Sequence, residues 1–138
     1  MKKKIIILGG DPNSINSEII YKSWKKLNSS IKKRIYIISS YSLLQSQFKK
    51  LNYRIKLEKV RNINEDNNSN KLRILDINLN FKDPFNVERK KASKFVLKCL
   101  DLGNGLALET KTAGLINCAI SKNLLNKQKI GVTEYLAS

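Results

Sequence analysis

The sequence predicts an α/β fold of three layers, a mostly parallel sheet with helices on both faces. Three observations carry that prediction. Short apolar runs rich in β-branched residues recur along the chain, at "KKIIIL", "RIYIISS", "LRILDI" and "AGLINCAI", and unbroken runs of this kind suit strands buried in a parallel sheet. Between them stand stretches whose apolar residues fall at helical spacing with lysines in between. Glycine, proline and asparagine gather at the junctions, where a chain alternating strand and helix needs its turns.

Taken in order, "KKIIIL" forms the first strand and closes at Leu8, ahead of Gly9 and Gly10. Ile20, Trp24 and Leu27 then share one face of an amphipathic helix, with Asn13 or Ser14 as its N-cap. "RIYIISS" over 34–40 is a second strand, and Leu44, Phe48 and Leu51 repeat the helical spacing. A third strand is expected over Tyr53 to Val60, where Tyr53, Ile55 and Leu57 alternate with charged residues. Residues 61–71, "RNINEDNNSNK", hold a single apolar side chain and form a polar loop. "LRILDI" is a further strand and "NFKDPFN" a turn closed by Pro84. Asn86 is the expected N-cap of a helix with Glu88 in its first turn, with Ala92, Phe95, Cys99 and Leu102 on one face and a stop near Gly103 or Gly105. "AGLINCAI" over 113–120 is again a strand of the buried parallel type, followed by a short helix in "SKNLLNKQ". In "GVTEYLAS", Thr133 is a candidate N-cap and helix-forming residues run to the last position. These 138 residues therefore read as one α/β portion of a longer protein.

Charge narrows the function classes. The chain has 27 Lys and Arg against 11 Asp and Glu, a formal net charge of +16, which by itself would suggest a polyanionic partner. Residue usage argues otherwise: only five of the cations are arginines, the better residue for bidentate phosphate and base contacts. The lysines are scattered as pairs at Lys25-Lys26, Lys32-Lys33, Lys49-Lys50 and Lys90-Lys91. A solvated lysine coat is expected, without a nucleic-acid partner. "IIIL" after the N-terminal lysines is too short for a leader or a membrane span. Cys99 and Cys118 are isolated and no CxxC occurs, as in a reduced cytoplasmic protein with inert thiols. Histidine is absent, so neither a His-based metal site nor a Ser/Cys–His dyad can be built from this chain.

In a parallel sheet, ligands sit beyond the carboxyl ends of the strands, where loops enter helix N-termini that favour anions. Two loops qualify. Gly9 to Glu18 is neither a Walker A nor a GxGxxG loop; it is either an anion-holding turn or a capped turn in which Asp11 and Pro12 only shape the backbone. "CAISKNLL" puts Ser121 and Lys122 after the last strand, and a lysine there either holds a phosphate as a point charge or is one more solvated lysine. Thr133 and Glu134 carry the same ambiguity between cap and ligand. No carboxylate pair for acid–base chemistry is evident: Glu65 and Asp66 lie in the polar loop, and Asp76, Asp83 and Asp101 stand alone.

Together these loops resemble a known family. "GGDPNSINSEI" is similar to the GDPxGIGPE opening of the 4-hydroxythreonine-4-phosphate dehydrogenases of pyridoxal phosphate (vitamin B6) biosynthesis. "AGLINCAISKNLLNKQKIGVTEYLAS" resembles that family's strand, its Thr-Pro turn ending in lysine and its Gly-His-Thr-Glu segment, in the same order, and "PFNVERKKASKFVLKCLDL" occupies the place of the intervening helix. Gly10, Asp11, Pro12, Ile15, Glu18, Lys122 and Thr133 agree. Ser14, Asn16 and Ser17 stand where the family has Gly, Gly and Pro; Asn117, Cys118 and Ala119 replace the small-residue, Thr and Pro pattern; Val132 replaces the histidine beside Thr133.

The resemblance implies the N-terminal part of a two-domain enzyme of the isocitrate and isopropylmalate dehydrogenase type. It implies an NAD- or NADP-dependent oxidation of 4-phosphohydroxy-threonine with a divalent metal (Zn, Mg or Co), in a cytoplasmic homodimer. Thr133 and Lys122 would bind the phosphorylated substrate, and Gly10, Asp11, Pro12 and Glu18 would belong to an active-site loop. The family's metal-binding histidines and most of its nicotinamide-binding residues lie after the Gly-His-Thr-Glu segment, so no metal ligand is expected here and these residues alone are expected to be inactive. Two alternatives stay open: a diverged paralogue acting on another phosphorylated hydroxy acid, and a basic module that binds RNA or another polyanion.

Overall fold

In a computed structural model the described residues are 3–64, 70–109 and 111–118. In chain order they form β1 (Lys4–Leu8), α1 (Asn16–Lys26), α2 (Ser29–Lys32), β2 (Ile35–Ser39), α3 (Tyr41–Lys50), β3 (Leu57–Val60), β4 (Leu72–Asp76), α4 (Arg89–Ala107) and β5 (Thr112–Asn117). The strands make one five-stranded sheet in the order β3-β4-β2-β1-β5, and every pairing is parallel. This is the α/β architecture that the apolar runs predict.

Strand periodicity divides the side chains between two cores. Ile6, Leu8, Tyr36 and Ile38 point to one face and pack with Ala92, Phe95, Val96, Cys99 and Leu100 of α4. Their neighbours in sequence, Ile35 and Ile37, point to the other face and pack with Ile20 and Trp24 of α1 and Leu44 and Phe48 of α3. Helices fall on both faces because the chain reverses its march across the sheet. From β1 to β2 to β3 it moves one way, and from β4 to β5 it moves back across β2 and β1. Right-handed crossovers then place α4 opposite α1 and α3.

Several boundaries differ from the sequence expectation, each for a local reason. Pairing of β3 begins at Leu57 instead of Tyr53 because the preceding residues close α3. Asn52 takes a left-handed φ of 58°, its N–H donates to the Lys49 carbonyl at 3.1 Å, and the Tyr53 N–H donates to the Phe48 carbonyl at 2.8 Å. That is a Schellman closure, and it commits the chain before a strand can start. Helix α4 passes through both glycines that were expected to stop it. Gly103 is buried against the sheet, where a Cβ would lie 2.8 Å from Leu8 Cδ2, so its missing side chain permits close packing. Leu102 turns to the exposed side. Helix α1 starts after Ile15 with no side-chain cap, and α4 after Glu88 instead of Asn86. Strand β5 is the edge of the described sheet and largely exposed, not buried. The short helix expected after it lies outside the described residues.

Helix α2 was not foreseen. Asn28 caps it by accepting the Ile31 N–H at 2.9 Å, and its last carbonyls face the buried Arg73. The Arg73 Nη1 lies 3.4 Å from the carbonyls of both Lys32 and Lys33, and its guanidinium is 5.5 Å from the centre of the Tyr36 ring. Fully buried, this cation is held by helix-end carbonyls and an aromatic face. No described helix is long and apolar enough to cross a membrane.

Burial pushes the Cys99 thiol up to about 12, with a further upward push from the Asp76 charge; burial raises the half-buried Cys118 as well. A thiol held neutral by the fold contributes its full stability below the ordinary value of 9.0, and that contribution falls as pH rises from there toward about 12. Urea unfolding midpoints should therefore decline more steeply above pH 9 in the native chain than in Cys99→Ala. Parallel declines in the two proteins would contradict the assignment.

Candidate functional site

All five strands end on one side of the sheet, and the loops that leave them define the candidate site. The connection from β2 runs to α3 on one face, whereas that from β4 runs to α4 on the other. Loops thus part between two neighbouring strands, the place where parallel sheets open a crevice. Three segments meet over it: residues 9–15, 39–41 and 76–88.

The first segment is set by two glycines. Gly9 donates its N–H to the Ile38 carbonyl at 2.9 Å. A Cβ there would lie 2.9 Å from Ser39 Cβ and 3.2 Å from the Ile38 carbonyl oxygen, so only glycine lets β1 end flush against β2. Gly10 follows at φ 76°, a region that costs other residues about 1 kcal/mol or more, and the chain turns back. Asp11 then accepts the Asn13 N–H on Oδ1 at 2.9 Å, while Ser14 Oγ donates to the Asp11 carbonyl at 2.7 Å and accepts the Asn16 N–H at 3.2 Å. These polar side chains are spent on the turn, which explains why neither Asn13 nor Ser14 is the N-cap of α1.

Two side chains lock this turn to its neighbours. Asn13 Nδ2 donates to the Val87 carbonyl at 2.9 Å, and the Val87 N–H donates back to Asn13 Oδ1 at 2.7 Å. Gln47, 2% exposed, donates from Nε2 to the carbonyls of Pro12 and Pro84, each at 2.8 Å. At the end of β4, Asp76 Oδ1 accepts the Tyr41 N–H at 2.8 Å and Oδ2 lies 3.6 Å from Lys59 Nζ. Its negative charge therefore sits at the N-terminus of α3, where the helix dipole favours it.

Of the residues that the sequence singles out, Gly10, Asp11 and Pro12 lie together in this turn, Gly10 and Pro12 buried and Asp11 half-buried. Glu18 lies in the first turn of α1, with Oε1 2.8 Å from Lys22 Nζ. The hydrogen bond from Lys22, its charge and the Tyr53 hydroxyl hold the Glu18 carboxyl below its ordinary value, and the pairing takes it away from the turn. Lys122 and Thr133 lie outside the described residues, as do Ser121 and Glu134. The approach to them is described: Cys118 donates its N–H to the Leu8 carbonyl at 3.1 Å. Strand β5 thus delivers the chain beside the β1–α1 turn, on the same edge of the sheet.

Sequence reasoning missed Gln47, Val87 and Asp76. Gln47 had a signal, a polar residue among Leu43, Leu44 and Phe48 on a core-facing helix. Asp76 had a weaker one, a carboxylate closing an apolar strand. The Val87 backbone had none. Ser17 is also buried, and its Oγ has no hydrogen-bond partner among the described residues.

The described residues do not fit a divalent metal. No group of three or more His, Cys, Asp or Glu side chains among them could hold one. The β1–α1 turn does not fit a dinucleotide either, since Gly9 is packed on β2 and the Pro12 carbonyl is taken by Gln47. What the arrangement supplies is a rigid carboxyl edge onto which the α1 and α3 N-termini open.

No family model and no curated protein sequence matches the chain. Solved structures do match. A protein assigned as 4-hydroxythreonine-4-phosphate dehydrogenase from Salmonella typhimurium superposes with a TM-score of 0.82 at 22% identity, over 99% of this chain and 44% of its own. A 4-hydroxythreonine-4-phosphate dehydrogenase from Burkholderia phymatum superposes at 0.83 and 18% identity, over 99% and 43%. One from Klebsiella pneumoniae superposes at 0.74 and 23% identity, over 91% and 40%. At these identities the likeness is one of fold. The chain spans less than half the length of the structures it matches.

Replacing Gln47 by leucine keeps the volume but leaves two buried proline carbonyls without a donor, and should cost about 2 kcal/mol or more in urea unfolding. Gly9→Ala should cost about 1–3 kcal/mol through the clash with β2. Losses under about 0.5 kcal/mol in both variants would contradict the locked turn.

Proposed function

We propose that this chain is the N-terminal portion of an NAD(P)- and divalent-metal-dependent 4-hydroxythreonine-4-phosphate dehydrogenase of pyridoxal phosphate biosynthesis. It would act on 4-phosphohydroxy-threonine as a cytoplasmic homodimer. The observation that carries the proposal is the superposition of 99% of the chain on two structures bearing that name, joined to motif residues that follow the family's order. Further support comes from the edge of the sheet: β1 and β5, which lead into the two motif segments, end side by side.

In this reading the locked β1–α1 turn is a fixed wall of the site, and substrate is held by residues after β5. The Thr133 hydroxyl donates to a phosphate oxygen, and Lys122 adds a point charge. When bound, a divalent metal would polarise the alcohol and a nicotinamide would accept the hydride. Their ligands are not among the described residues. The replacement of the family histidine by Val132 favours one second reading, a paralogue with another phosphorylated hydroxy acid as substrate.

The natively expressed protein containing these residues should reduce a nicotinamide cofactor when given 4-phosphohydroxy-threonine and a divalent cation. Thr133→Ala should raise KM for the phosphorylated substrate on the order of tenfold, about 1.4 kcal/mol, and leave KM for the nicotinamide unchanged. Turnover only with a different phosphorylated hydroxy acid would favour the paralogue. No turnover, or an unchanged substrate KM in the variant, would contradict the assignment.

A further inference from the structure

A cavity runs along the outer side of α3, from Tyr41 at the carboxyl edge to the residues that follow the helix. It is open, encloses about 520 Å³ and runs between α3 and residues 52–57, a size typical of small-molecule sites. Gln45 and Lys49 of its wall sit on the helix stripe turned away from Gln47, since residues two apart on a helix point about 200° from each other. The cavity is thus separate from the loops that Gln47 ties together.

Its chemistry is one-sided. Lys49, Arg54 and Lys56 line it, and no carboxylate does. None of these three cations makes an ion pair among the described residues; the pairs formed nearby use Lys22 with Glu18, Lys50 with Asp83 and Lys59 with Asp76. The same wall carries aromatic surface. Tyr53 is held rigidly by a parallel stack on Tyr21, with ring centres 4.0 Å apart and planes 3° from parallel. Tyr21 is not part of the wall. Ile55 and Tyr41 complete the wall, with the Lys59 ammonium 5.6 Å from the centre of the Tyr41 ring. The Schellman turn at Asn52 brings Arg54 and Lys56 back alongside Lys49, so the clustering of charge follows from how α3 ends.

We propose that this cavity binds a small ligand carrying both phosphate and a planar ring, of the nucleoside phosphate class. The phosphate is held by the Arg54 fork and the ammonium groups of Lys49 and Lys56. The ring lies against the face of Tyr53 that is not stacked on Tyr21, a contact that accepts any base because each has a π-face. The inference does not depend on the dehydrogenase assignment.

Calorimetric titration of the full chain with AMP, inorganic phosphate and adenosine tests it. AMP should bind tighter than about 1 mM, and about tenfold tighter than phosphate or adenosine alone. The double variant Arg54→Ala/Lys56→Ala should weaken AMP about tenfold or more at an unchanged thermal midpoint. Removing the same charge elsewhere, in Lys90→Ala/Lys91→Ala, should leave AMP affinity intact. Absence of AMP binding, equal affinity for inorganic phosphate, wild-type affinity in the cavity variant, or equal loss in the Lys90/Lys91 control would each overturn the proposal.

Discussion

One buried amide organises the carboxyl edge of this sheet. Gln47 has a single side-chain NH2, and its two hydrogens serve the carbonyls of Pro12 and Pro84. Both prolines are buried, and a proline brings an acceptor with no N–H of its own. Buried in this way, each carbonyl needs a donor from elsewhere, or it costs about 1–3 kcal/mol. Gln47 answers both at once and so fixes where the β1–α1 turn lies relative to the segment entering α4. The Asn13–Val87 pair repeats the connection a short distance away. Together they make loops from opposite faces of the sheet into one unit.

That arrangement follows from topology. Because β4 inserts between β3 and β2, the chain changes direction and sends its last crossover to the opposite face. The connection from β4 to α4 must then cross the carboxyl edge, and it meets the β1–α1 turn on the way. Gly9 permits the close approach of β1 to Ser39, and Gly103 permits the close approach of α4 to Leu8. Glycine thus serves one strand–strand and one helix–sheet contact, and among the described residues Gly10 is the one glycine with a positive φ. The same fold occurs in solved dehydrogenase structures of which this chain covers 40–44% of the length.

The fold class was legible because it rests on periodicity. "IIIL", "IYIIS" and "LRILD" can satisfy their backbones and bury both faces only as inner or near-inner strands of a parallel sheet. Strand ends and helix caps were less legible, since side chains with capping chemistry had better partners. Asn13 would read as a cap to any local rule, yet its amide pairs with a backbone 74 residues away. Gly103 would read as a helix stop, yet it is a packing surface. The alternation from Tyr53 predicts too long a third strand because the Schellman turn at Asn52 competes for Tyr53, a contest that depends on where α3 ends. At the candidate site, Gly10, Asp11 and Pro12 were visible from their turn chemistry. Gln47 was partly visible as a polar residue on an apolar stripe, and Val87 was invisible because it acts through its backbone.

Native-state hydrogen exchange at two amides tests most directly whether these loops form one unit. The Asn13 N–H is bonded within the β1–α1 turn to Asp11, and the Val87 N–H is bonded across to Asn13. If Gln47 holds both segments, the two amides open with the same free energy, and Gln47→Leu accelerates both by a similar factor. Acceleration at one of the two amides alone, or at neither, would mean that the segments move independently and that the edge is not the preformed wall described.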